Sequence, residues 1–198
     1  MRTMVERWRA YVARHPMRVA LVGGFVATHV ATNTGMWYHG IGLPDLNFNL
    51  LNGYLVFGNA ANVFGTEGMQ DQTILTLFGM VVHYAMGISF ALIFAFGIHA
   101  MIPIANTLVG NFTKAIIWSL ILATLSVTWW INLFTFHFGD VQVTAGLFMS
   151  NFGIEWVIAV YLWHLVYGLH LGAFFNPAPV ADTDVEAELD PQPATAGM

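Results

Sequence analysis

Between Val19 and Ala181 the chain carries six charged side chains, Asp45, Glu67, Asp71, Lys114, Asp140 and Glu155, and all six lie between long apolar segments or at their ends. Soluble domains average roughly 25% charged residues, whereas here 9% are charged and 57% are hydrophobic. So few charges cannot solvate a globular surface of this size, so the apolar excess must face lipid. A helix needs about 20 mostly apolar residues to cross the hydrocarbon. Segments 17–38, 72–102, 113–136 and 151–175 meet that need. The expected fold is therefore all-α, a polytopic membrane four-helix bundle over residues 17–176. The first apolar run exceeds the roughly 7–15 residues of a signal-peptide core, and no small-residue cleavage site follows it, so it reads as a retained helix.

The flanks differ in charge. Residues 1–16 form a basic N-terminal segment, and Arg2, Arg7, Arg9, Arg14 and Arg18 all precede or open the first span. Residues 177–198 are rich in Pro, Ala, Asp and Glu and are expected to be a disordered acidic tail. Lys114, the single lysine, opens the third span. Four spans with a cytoplasmic N-terminus place every basic residue on the cytoplasmic side, as the positive-inside rule requires. Both termini are then cytoplasmic, and the expected site is the bacterial inner membrane. Five spans would put Lys114 outside. The glycines and asparagines of segment 40–71 also argue against a lipid-exposed fifth span, since unpaired polar groups cost several kcal/mol in hydrocarbon. An interfacial or re-entrant segment is expected there.

The second and fourth spans echo one another. His83, Gly87 and Ala91 recur as His164, Gly168 and Gly172, each with four-residue spacing. Small residues at i and i+4 let helices approach closely, and a histidine one turn earlier lies on the same face. The echo suggests a tandem pseudo-repeat of two-helix units. With Gly23, Gly24, Ala27 and Thr28 of the first span, the Phe90–Ala91 pair, and Tyr167 and Leu171 of the last, it resembles the YagU-like group of small four-helix bacterial membrane proteins. That resemblance implies an architecture over residues 18–175 and no activity.

Ionisable groups within a bilayer are candidates for function. Rise along a helix, about 1.5 Å per residue, places His29 and His164 near mid-membrane and His83 somewhat to the outer side. Two of these three could hold haem b, since haem iron accepts imidazole and Gly87 and Gly168 leave room for a flat ring. Alternatively they are neutral and bind helices together through hydrogen bonds. At the outer face His39, Asp45, His137, Asp140 and Glu155 offer imidazole and carboxylate donors suited to a transition metal. Glu155 there also complements a helix macrodipole. The chain has no cysteine, which excludes disulfides and thiolate sites. It has no basic patch of the nucleic-acid-binding kind and no phosphate loop. Three roles remain. The preferred one is a non-catalytic accessory or anchoring subunit of a respiratory, photosynthetic or monooxygenase-type complex, bound to other membrane subunits or to itself. The second is an electron-transfer subunit using haem b or quinol, and the third a small-solute or ion transporter.

Overall fold

The computed structural model describes residues 3–57, 72–133, 135–138 and 141–179. The basic N-terminal segment is itself a helix, α1 (Met4–Arg14), which the charge pattern alone did not reveal. A capping box starts it: Glu6 N–H donates to Thr3 Oγ1 (3.2 Å), and Thr3 N–H donates to Glu6 Oε2 (2.7 Å). His15 makes the bend, and Pro16, which has no N–H to satisfy, opens α2 (Pro16–Gly35). A short 3₁₀ turn, Tyr38–Ile41, leads on to α3 (Phe48–Phe57).

α4 (Gln72–Ile93) continues through a π turn, Phe94–Ile98, into the last short turn α5 (His99–Met101). α6 (Leu108–Leu125) is N-capped by Thr107, which accepts from Gly110 N–H, and runs into a second π turn, Ser126–Trp130. The chain was expected to stay helical to residue 136. Instead, strands β1 (Thr135–Phe138) and β2 (Val141–Thr144) pair antiparallel, with His137 opposite Gln142. Phe-His-Phe and Val-Gln-Val alternate with the two-residue period of a strand, which an apolarity count does not register. Phe148 and Met149 then adopt left-handed backbone conformations before α7 (Ile154–Phe174) begins.

The long helices alternate in direction, and small residues bring them together. Thr28 of α2 meets Gly87 of α4, and Gly24 meets Ala91; a Cβ on Gly24 would lie 3.0 Å from the Ile88 Cα. The second pair repeats this: Ser119 of α6 meets Gly168 of α7, and Ala115 meets Gly172. The two pairs join where α2 packs on α7, through Gly23 against Phe174 and Gly35 against Trp163. The Tyr167 hydroxyl donates to the Gly87 carbonyl at 2.7 Å. The two His-Gly helices, α4 and α7, therefore run in the same direction, as the sequence echo implied.

Among the described residues, three stretches are long and apolar enough to cross a membrane: Thr73–Met101, Leu108–Leu133 and Ile154–Phe174. α2 is not among them, which reduces the expected count of spans readable from apolarity to three. Thr28, His29, Thr32, Asn33 and Thr34 lower its apolar content. Segment 40–71 holds α3, which lies against α4 so closely that Gly79 abuts the Asn49 carbonyl and Gly53 abuts that of Leu75. Its remainder, 58–71, lies outside the described residues. The C-terminal tail is ordered at its start: Ala178 N–H donates to the Arg9 carbonyl at 3.1 Å. The acidic part, 180–198, lies outside the described residues.

Crowding at the two crossings sets a test. Gly87→Val and Gly168→Val force a side chain into the space held by Thr28 and by Ser119 and are each expected to cost about 1–3 kcal/mol. Gly97→Ala, with nothing within 4 Å of the added carbon, is expected to leave stability unchanged or slightly raised. Thermal unfolding of the detergent-solubilised protein checks all three.

Candidate functional site in the helix interior

A cavity of about 160 Å³ opens among α3, α4, α7 and the π turn of α6, and both His83 and His164 line it. The helix crossings create this arrangement. Because Gly87 admits Thr28, α2 lies close enough for Thr32 Oγ1 to reach His83 Nε2 at 3.0 Å. From the other side Asn52 Nδ2 lies 3.1 Å from His83 Nδ1 and 2.8 Å from the Phe48 carbonyl. The carbonyl can only accept, so this nitrogen is the amide's donor end. Its second hydrogen then goes to His83 Nδ1, which must be unprotonated. His83 is therefore a neutral imidazole that donates from Nε2 to Thr32.

His164 has the opposite tautomer. Its Nδ1 donates to the Val160 carbonyl at 2.8 Å, leaving Nε2 to accept from Ser126 Oγ at 3.2 Å. Trp163 stands between the two imidazoles, with ring centroids 5.4 Å from His83 and 4.9 Å from His164. Phe48 stacks on His83 at 5.8 Å. The π turn contributes Ser126, Trp129 and Trp130 to the wall. π bulges inside α-helices recur at functional sites, because the extra residue redirects side chains that a regular helix would place elsewhere.

Two residues that line this cavity, Asn52 and Trp163, each carry a buried polar atom with no hydrogen-bond partner among the described residues, Oδ1 and Nε1. Asn52, 1% exposed, uses both amide hydrogens, and its Oδ1 has no hydrogen-bond partner among the described residues. A buried unsatisfied acceptor costs about 1–3 kcal/mol. It is a place where a ligand donor would be rewarded.

The third histidine of the expected haem set lies elsewhere. His29 is exposed on the bundle's outside, where Nδ1 meets the Tyr84 hydroxyl at 2.7 Å and Nε2 meets Asn33 Nδ2 at 3.1 Å. Haem does not suit the cavity as it stands. Its volume is below the roughly 300 Å³ at which pockets for drug-sized ligands begin, and both imidazoles already have each nitrogen engaged. His99 binds Asn111 Oδ1 at 3.0 Å, and His170 Nδ1 donates to the Val166 carbonyl at 2.8 Å.

The expected outer metal set is brought together only in part. His39 and Asp45 form a close pair, with Nδ1 to Oδ2 at 2.7 Å and His39 N–H donating to Asp45 Oδ1 at 2.9 Å. Glu155 stands exposed in the first turn of α7. The side chain of His137, and Asp140 as a whole, lie outside the described residues. Among the described residues no three His, Asp or Glu side chains gather as a metal site.

No family model, curated protein or solved structure matches the chain.

Of the aromatic residues that the sequence offers to line a slot beside these histidines, Trp163 and Tyr167 do line the cavity, and Tyr84 does not. Sequence reasoning overlooked Asn52, Ser126 and Thr32 as members of the site. Asn52 had no signal in the sequence, since its role depends on α3 folding back against α4.

The two imidazoles give a spectroscopic test: nitrogen NMR of labelled histidine is expected to show His83 protonated at Nε2 and His164 at Nδ1. The outer pair gives a test by pH. The backbone N–H of His39 chiefly, then its side chain, hold the Asp45 carboxyl below its usual range. Its contribution is therefore fully present above the unfolded value near about 3.9 and is lost as pH falls through the lower folded value. Hydrogen-exchange protection of the His39 amide is expected to disappear over that interval, and Asp45→Ala to remove it at every pH.

Proposed function

We propose that the chain is a four-span protein of the bacterial cytoplasmic membrane, with both termini cytoplasmic. In this reading it serves as a subunit of a larger membrane complex and holds the ring of a quinol or quinone between His83 and His164. The observation that carries the reading is a ring-sized apolar cavity flanked by His83 and His164 and lined by Asn52, whose buried Oδ1 has no hydrogen-bond partner among the described residues. A cavity of about 150 Å³ in another protein accepts benzene, so about 160 Å³ suits a single six-membered ring. Phe48, Trp129, Trp130 and Tyr167 supply aromatic walls.

A quinol differs from a plain aromatic ring in carrying hydroxyl groups. One hydroxyl would donate to Asn52 Oδ1. The opposite ring oxygen would meet Ser126, whose own hydroxyl already leads to the lone pair of His164 Nε2. That chain of groups can position a ring and take up the proton of the oxygen that faces Ser126. The partner complex would supply the acceptor of the two electrons and of the second proton.

The weaker apolarity of α2 does not argue against a fourth span. Thr28 donates to the Gly24 carbonyl, Thr34 to that of Val30, and Thr32 and His29 bond to α4. Polar groups satisfied within the bundle avoid the penalty of bare polar atoms in lipid. Arg7, Arg9, Arg14 and Arg18 precede or open α2, and Lys114 lies near the start of α6, at the same end of the bundle. The positive-inside rule makes that end cytoplasmic.

Titration of the purified protein with a short-chain benzoquinol kept reduced, followed by tryptophan fluorescence, tests the proposal. Saturable quenching is expected from Trp129, Trp130 and Trp163. Ser126→Leu, which fills the cavity, is expected to weaken binding tenfold or more, about 1.4 kcal/mol. His29→Gln, on the outside, is expected to change it less than twofold. Quenching that is not saturable, or that Ser126→Leu leaves intact in a folded protein, defeats the reading. A Soret band in the purified protein would favour haem instead.

A further inference from the structure

At the cytoplasmic end of this reading, α1 and α2 diverge from the bend at His15 and leave a cleft of about 550 Å³. Its walls are Trp8, Tyr11, Val19, Val22 and Phe174, and two guanidinium groups, Arg7 and Arg18, border it. The two groups of features point to one class of ligand. Apolar and aromatic walls alone would suit an acyl chain. Two cations beside those walls suit an anion attached to that chain.

The arginines of α1 and the start of α2 are not equivalent. Arg9 is fully engaged in holding the fold, donating to Asn176 Oδ1 at 3.1 Å and to the carbonyls of Asn106 and Pro177. Arg14 turns back to the Ala10 carbonyl at 3.4 Å. Arg7 and Arg18 have no side-chain hydrogen bond or ion pair among the described residues. The cleft itself is held open by structure. Trp8 Nε1 donates to the Phe174 carbonyl at 3.2 Å, and Trp8 stacks on Tyr11 with centroids 5.7 Å apart. α1 also presents Met4, Val5, Trp8 and Tyr11 outward, the apolar side expected of a helix lying in the membrane interface.

We infer that this cleft binds an anionic phospholipid of the cytoplasmic leaflet, its phosphate bridging Arg7 and Arg18 and its first acyl carbons lying along Val19, Val22 and Phe174. Guanidinium groups match phosphate oxygens in paired, charge-assisted hydrogen bonds. A zwitterionic lipid brings its own cation to the same place and leaves two arginines competing with it. The cleft lies at the end of the bundle away from the His83–His164 cavity, so this inference stands or falls without the quinol reading.

The test uses the full chain purified in mild detergent. Its thermal unfolding is followed with phosphatidylglycerol or phosphatidylcholine added, and co-purifying lipid is measured by mass spectrometry. Phosphatidylglycerol is expected to raise the unfolding temperature more than phosphatidylcholine and to be retained at least tenfold in preference, the scale of two basic residues acting at a membrane surface. Arg7→Gln and Arg18→Gln are each expected to reduce that preference severalfold, and the double variant to abolish it, while Arg14→Gln keeps it. Equal effects of the two lipids on the unaltered protein overturn the inference. So does a preference that survives the double variant, or an equal stabilisation by inorganic phosphate alone.

Discussion

The approach of helix backbones at Gly87 and Gly168 is the constraint on which the rest of this structure depends. Without a side chain at Gly87, Thr28 fits against α4, and the Gly87 carbonyl remains open to the Tyr167 hydroxyl of α7. One glycine thus ties three helices together. Gly168 does the equivalent for α6 and α7 by admitting Ser119. In lipid there is little hydrophobic gain in helix association, so dispersion contacts and interhelical hydrogen bonds must supply it. Both need the helices to be close.

Closeness then decides which polar side chains find partners. Thr32 reaches His83 only because α2 is held near α4, and Ser126 reaches His164 from a π turn that interrupts α6. At the end of the bundle that carries α1 the same logic runs through Asn111 and Asn176, which connect His99, Arg9 and the start of the tail. Most buried polar groups are consumed in this way. Among the described residues the oxygen of Asn52 has no partner, while both hydrogens of the amide are committed, to the Phe48 carbonyl and to His83.

Much of the interior could be read in advance, but unevenly. The His-Gly echo identified the faces of α4 and α7 that meet their neighbours, and it placed His83 and His164 on them. Depth along the first span added His29 to them, which ignores azimuth. His29 shares the level of the bundle but lies on the outer face, paired with Tyr84. The hairpin at His137 was hidden because an apolar strand and the end of an apolar helix have similar composition. α1 was hidden because its arginines dominate its character, while its Thr3–Glu6 cap is a short signal beside them.

Composition, charge placement and the spacing of small residues by themselves determined that the chain is helical and membrane-seeking, and which faces of α4 and α7 are close-packed. These follow from local chemistry: hydrocarbon excludes charge, and glycine leaves space on whatever helix carries it. Only the tertiary structure decided that His83 and His164 share a cavity and His29 does not, that Asn52 supplies its unpaired oxygen, and that Arg7 and Arg18 flank one cleft while Arg9 braces the fold. Those outcomes depend on helix rotation, on the fold-back of α3 and on the bend at His15. Each is set by contacts between residues far apart in the chain, which no local pattern encodes.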